Sequence, residues 1–290
     1  MMLSPRVLQR LPKHRIQSTI LARGTHRGER KSTKLGTSLE FSDYRLYSPG
    51  DDLRQIDWNA YARTKKHYIK RFMDEQELLI SIYLDTTSSV VLNKQKRDFS
   101  QSIAGAFGYM GLCGDDRVSL HPIGEKAPSF QFRKGRAYSS KLLSYITSLN
   151  HLEERVTQSF MKEVLRKLPK KSGLSIIISD FMEPLGEIKL SLKRLQAQRQ
   201  QVRLVQVLTE DELNPRYKGD LKLIDSENSQ ETNVSMNKKV LQSYQKRLSA
   251  HQHDLARFCS ERGIGLVTCS TSDALETVMF RDLRKKGWIL

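Results

Sequence analysis

Two apolar runs in this chain end in oxygen donors. Residues 78–84 read LLISIYL and lead into Asp85-Thr86-Thr87-Ser88-Ser89, while residues 174–178 read LSIII and lead into Ser179-Asp180. Successive side chains of extended backbone alternate, so Asp85, Thr87 and Ser89 would face one side of a short loop. Carboxylates and hydroxyls are hard ligands, suited to Mg²⁺ or to Mn²⁺ and Ca²⁺, which keep part of their water. A plainer role fits the same residues: Asp85 and Ser89 can cap a helix that follows the strand. Local pattern alone leaves both open.

Other chemistries have less behind them. An aspartate ending a first strand could be a phosphoryl-transfer nucleophile, as in the haloacid-dehalogenase pattern. That pattern has a second Asp two residues on as general acid, where this chain has Thr87, and no lysine closely precedes Asp180. The chain contains no G-x-x-x-x-G-K-[ST], no G-x-S-x-G and no H-E-x-x-H. His251 and His253, with Asp254, stand at i and i+2 of a predicted helix, which points them apart and makes a solvated face of them. Cys113, Cys259 and Cys269 have neither zinc spacing nor a C-x-x-C pair, and read as core thiols in a reducing compartment. No acid, base and nucleophile can be assembled.

The elements that must position these donors follow from periodicity. Strands are expected at residues 78–84, 118–122, 130–132, 174–178, 202–208 and 264–269. Helices are expected at 99–112, 142–149, 160–168, 188–198, 238–262 and 273–283, with a polar hairpin or loop over 217–236. Continuous apolar strands alternating with helices predict an α/β fold with a doubly wound, mostly parallel sheet. Ligands of such sheets bind beyond the carboxyl ends of the strands. Ahead of the sheet, Pro49-Gly50 makes a turn, Asp52 starts a short helix, and residues 67–72 form a strand. A change of character near Glu75 divides the chain into an N-terminal segment, 1–74, and an α/β domain, 75–290.

The 290 residues carry a net charge of +17, and no apolar run is long enough to span a bilayer. A cytoplasmic protein is expected. Nine Lys/Arg against Glu29 alone crowd residues 1–35. They suit either an arm that binds nucleic acid or an acidic partner, or the solvated face of a segment whose Val7, Leu8, Leu11, Ile16 and Ile20 turn inward.

Residues 41–59 (FSDYRLYSPGDDLRQIDWN) with Ala62-Arg63 carry Tyr44, Arg45, Pro49, Gly50, Asp51, Asp52, Arg54, Asp57, Trp58 and Arg63. This run resembles the signature of the bacterial family of domains of unknown function DUF58, which precedes a von Willebrand factor A-like domain. The resemblance implies a small N-terminal β-rich extension and a metal-ion-dependent adhesion site of the D-x-S-x-S type. Carried over, Asp85 and Ser89 match, Thr87 replaces a Ser, and Asp180 matches the Asp after a central strand. Thr157 is most like the Thr of a later loop. The resemblance further implies a non-catalytic protein-interaction module acting with a MoxR-type AAA+ ATPase. The alternatives are nucleic-acid binding through the basic arm and a Mg²⁺-dependent phosphohydrolase. Arg45, Asp51, Asp52, Arg54, Asp57 and Arg63 are expected to pair structurally within the extension.

Overall fold

The computed structural model describes residues 3–19, 35–73, 78–124, 128–149, 159–217, 219–224 and 231–290. The chain divides into two compact units, Met1–Ile20 with Leu78–Leu290, and Leu21–Glu77. The segment expected as one piece, 1–74, is thus split, and its first twenty residues fall with the α/β unit. Helix α1 (Pro5–Arg10) and the turn after it bury Leu3, Val7, Leu11 and Ile16 in the core of the α/β unit. Ile16 bridges to Ile289, and Gln17 donates to the Trp288 carbonyl at 2.7 Å. Apolar spacing in this basic segment is what draws it in. Arg10 lies 4.0 Å over the Phe280 ring, so part of its charge is structural.

The smaller unit pairs β1 (Leu35–Leu46) with β2 (Tyr68–Met73) in an antiparallel ribbon, with α2 (Trp58–Thr64) between them. β1 is a strand that the periodicity did not reveal, because its sequence, LGTSLEFSDYRL, is polar for most of its length. The helix expected at Asp52 is a single turn, Leu53–Gln55. The longer helix is capped instead by Asp57, which accepts from the Asn59 and Ala60 backbone N–H groups at 2.9 and 3.2 Å.

In the larger unit β3 (Leu79–Asp85) is followed by α3 (Ser88–Val91), α4 (Lys94–Cys113), β4 (Arg117–Ile123), β5 (Phe130–Lys134) and α5 (Ser139–Ser148). Then come α6 (Phe160–Arg166), β6 (Gly173–Ser179), α7 (Leu185–Ala197), β7 (Gln200–Leu208) and α8 (Glu210–Leu213). A hairpin of β8 (Gly219–Ile224) and β9 (Glu231–Met236) leads to α9 (Lys238–Glu261) and β10 (Gly265–Ser270). The expected closing helix over 273–283 is instead broken into Leu275–Thr277, a wide turn at Val278–Asp282, and Leu283–Lys285.

The six-stranded sheet has the order β10-β7-β6-β3-β4-β5, parallel throughout except for the β5 edge. Each face has its own core. Ile80, Ile82, Leu84, Ile176, Ile178 and Val205 pack on the side of α4 and α5, while Tyr83, Ile177 and Leu204 pack on the side of α7 and α9. This is the doubly wound α/β arrangement, with strands apolar on both faces because both faces are covered. The order turns around β3, whose neighbours are β4 and β6. The crevice between β3 and β6 is the topological switch point, where a doubly wound sheet opens toward a ligand.

Candidate functional site

Asp85 is the last residue of β3, and Asp180 follows β6 directly, so the two carboxylates stand at the carboxyl ends of the strands flanking the switch point. Both are buried, with 3% and 6% of their surfaces exposed. Asp85 Oδ1 accepts from the Thr87 backbone N–H at 2.9 Å and from the Thr87 hydroxyl at 2.6 Å. The Thr87 hydroxyl lies 3.1 Å from that of Ser89. Asp85 Oδ2 accepts from the Ser179 hydroxyl, and Ser179 Oγ in turn accepts from the Phe181 N–H at 3.1 Å. Asp85, Thr87, Ser89 and Ser179 thus form one connected oxygen cluster. The side chain of Asp85 serves its own loop; Thr87 precedes α3 without capping it by its side chain.

The loops are held by backbone approach. Thr86 donates from N and from Oγ1 to the Ile123 carbonyl, at 2.8 and 3.0 Å. Gly124, at φ +117°, has no room for a Cβ, which would come within 2.7 Å of the Thr86 carbonyl carbon and the Thr87 nitrogen. Phe181 takes a left-handed φ of 54°, and its carbonyl is 2.7 Å from His251 Nε2. A non-glycine residue held there marks a locally over-determined loop. The His251 side chain therefore braces this loop from α9, which corrects the expectation of a wholly solvated face.

Lys96 is the residue that linear reading missed. No lysine closely precedes Asp180 in sequence, yet α4 delivers one in space. Its ammonium lies 3.0 Å from Asp180 Oδ2 and 2.6 Å from Glu212 Oε1, and its side chain is 2% exposed. Lys96, Ser100, Ile103 and Phe107 share the buried face of α4 at helical spacing, and that spacing was the available signal. Glu212 was equally legible, as the fourth residue of the Thr209-x-x-Glu212 capping box that opens α8.

Electrostatics divide the two aspartates. Burial, then the neighbouring Asp180 charge, raises the Asp85 carboxyl well above the ordinary carboxylate range, against the hydrogen bonds of Ser179 and Thr87. Burial opposes the Lys96 ammonium, but Asp180 and Glu212 outweigh it and hold its pKa above that of a free lysine. Asp180 thus has a resident counter-cation. Asp85 has hydroxyl and amide donors around it.

The structure brings Asp85, Thr87, Ser89 and Asp180 to one end of the sheet, and Thr157 lies outside the described residues. Among the described residues no three His, Cys, Asp or Glu side chains converge as one metal-ligating group. Asp180 is also committed, giving Oδ1 to the Met182 N–H at 3.1 Å and Oδ2 to Lys96. The Asp85–Thr87–Ser89 face, where the Asp85 oxygens accept from Thr87 and Ser179 and no ammonium is bound among the described residues, offers a hard cation a carboxylate and hydroxyls of the right class. That donor set fits Mg²⁺ with retained waters.

The signature residues stay within the smaller unit. Arg45 pairs with Asp51, Arg54 with Asp52 at 3.2 Å, and Tyr44 donates to Asp57 Oδ2 at 2.8 Å. Pro49 and Gly50 form the turn, with Gly50 at φ +103°. Trp58, 59% exposed, meets Tyr61 edge-on, and Arg63 lies in the last turn of α2.

Comparison with known proteins gives relatives of unassigned role. Uncharacterized proteins of Mycobacterium bovis (Mb1516) and Mycobacterium tuberculosis (Rv1480) are 26% identical over 260 residues, covering 87% of this chain and 81% of theirs. The crystal structure of the conserved hypothetical protein BatB from Bacteroides thetaiotaomicron aligns over 72% of this chain and 98% of its own, at 13% identity and a TM-score of 0.41. The model of the family described as "Protein of unknown function DUF58" matches residues 43–254. With that match across nearly all of the signature and most of the α/β unit, the chain belongs to the DUF58 family.

Proposed function

We propose that this protein is a non-catalytic protein-interaction module that uses a divalent cation to recognise a carboxylate of its partner. One observation carries the reading: the connected Asp85–Thr87–Ser89 oxygens at the switch point, on a carboxylate whose pKa is raised by its burial and by the nearby Asp180 charge. Asp85 would hold the ion, Thr87 and Ser89 would complete its protein side, and Asp180 would act from the next loop through its charge. A bound ion supplies positive charge and exchangeable positions for an incoming Asp or Glu. The chain's own part is to keep the donors preorganised and the carboxylates close. A MoxR-type AAA+ ATPase is the partner that the family resemblance suggests.

The test is a pull-down of the ATPase in Mg²⁺ and in EDTA. Wild type should retain it in Mg²⁺ only, Ser89→Ala and Asp180→Ala should lose most of it, and the triple variant of Arg6, Arg10 and Arg15 should keep it. Loss confined to the arginine variant would replace this reading with the basic-arm one. A Mg²⁺-dependent phosphohydrolase gains one supporting observation, the ammonium of Lys96 beside Asp180. Phosphate-ester turnover that requires Mg²⁺ and vanishes in Asp85→Asn would establish it instead.

A further inference from the structure

Asp180 and Glu212 divide their oxygens in the same way. Asp180 gives Oδ1 to the backbone N–H of Met182 in its own loop, and turns Oδ2 to Lys96. Glu212 gives Oε2 to the backbone N–H and the hydroxyl of Thr209, at 2.8 and 3.1 Å, and turns Oε1 to Lys96. Two carboxylates from two successive strand ends, each anchored through one oxygen, thus converge through the other on a single cation. Carboxylates that share a metal ion do the same, and a divalent ion needs only one or two of them besides water. Here the position is filled by an ammonium carried on the buried stem of Lys96.

We propose that Lys96 is the second cation of this site: its ammonium stands between Asp180 and Glu212 where a two-ion centre would hold its other metal. The inference rests on the reading that Asp85, Thr87 and Ser89 bind one divalent ion. The wild-type protein then takes one ion per chain, because the tethered ammonium cannot be displaced by competition and repels a second ion from these two carboxylates. Lys96 is a positioning residue. It fixes the Asp180 loop against α8, and it sets how much negative charge the Asp85 cluster faces.

Mn²⁺ stoichiometry on the full chain, read by electron paramagnetic resonance of free ion and by calorimetry, tests this. Wild type should bind one Mn²⁺ and Asp85→Ala none at that position. Lys96→Ala should bind two, and Lys96→Ala/Glu212→Ala should return to one. Lys96→Arg, which keeps the charge, should stay at one. If wild type binds no Mn²⁺, the metal reading itself fails. If wild type binds one and Lys96→Ala also binds one, the metal reading stands and the role given to Lys96 is overturned. Should Lys96→Ala be unfolded in EDTA, circular dichroism on adding Mn²⁺ decides. Refolding with two ions per chain supports the proposal, and failure to refold at millimolar Mn²⁺ overturns it.

Discussion

The strand-end cluster of the α/β unit and the smaller unit are written with similar residues, and burial makes them different objects. Asp180 and Lys96 have 8% and 2% of their side-chain surfaces exposed, whereas Asp52 and Arg54 have 45% and 92%. The two pairs have nearly the same separation, 3.0 and 3.2 Å. Water screens the second, and the long arginine loses rotamer freedom to make it, so it contributes little. The first has already given up hydration, so each partner is required by the other. An ion pair therefore says little until its surroundings are known.

The strongest way to break the comparison is to remove one partner from each region. Lys96→Met leaves Asp180 and Glu212 without their cation and should destabilise by about 3–5 kcal/mol, the range for one buried charge stripped of its partner. Urea unfolding in EDTA should show that loss, and an unchanged midpoint would deny that the pair is buried and coupled. Next in size is the ion itself. A ligand that binds only the folded state at a hundredfold excess over Kd adds about 2.7 kcal/mol. Mg²⁺ should thus raise the melting temperature of wild type and leave that of Asp85→Ala where it was.

A pH titration of stability sharpens the contrast further. The folded pKa of Asp85 is raised above its unfolded value, so the native state binds more protons than the unfolded chain between the two. In EDTA this group should disfavour folding progressively as pH climbs from the ordinary carboxylate range to the raised value, with no effect below it. Asp85→Asn should flatten that part of the profile, and Mg²⁺ should oppose it in wild type. Thr87→Val comes next: above the raised pKa, where Asp85 is ionised, losing the hydroxyl that donates to it at 2.6 Å should remove about 1.5–3 kcal/mol, as for other hydrogen bonds to charged groups. Arg54→Met in the smaller unit should have the smallest effect, a melting temperature indistinguishable from wild type.

Much of this was legible in the linear chain, for reasons tied to particular residues. LLISIYL and LSIII are apolar without alternation because both faces of β3 and β6 are covered, and a run of that kind declares a buried strand by itself. Placing Asp85, Thr87, Ser89 and Asp180 at strand ends followed from counting residues past those runs. β1 stayed hidden because its pairing with β2 is a tertiary event that its polar sequence does not advertise. The N-terminal segment was placed with the wrong unit because amphipathic spacing tells that Val7, Leu11 and Ile16 are buried, without telling against what.

By itself the sequence determined most of the strand and helix order of the α/β unit, the doubly wound class, the family signature and the oxygen donors of the Asp85 loop. Each of these depends on neighbours within a few residues, where periodicity and turn chemistry act. Only the tertiary structure decided that Lys96, 84 positions away from Asp180, would lie against it, and that Glu212 would close the pair from α8. Charge interactions depend on separation and dielectric, and folding sets both. A lysine reads the same in every sequence; it becomes a structural cation only when the fold removes its water and places two carboxylates around it.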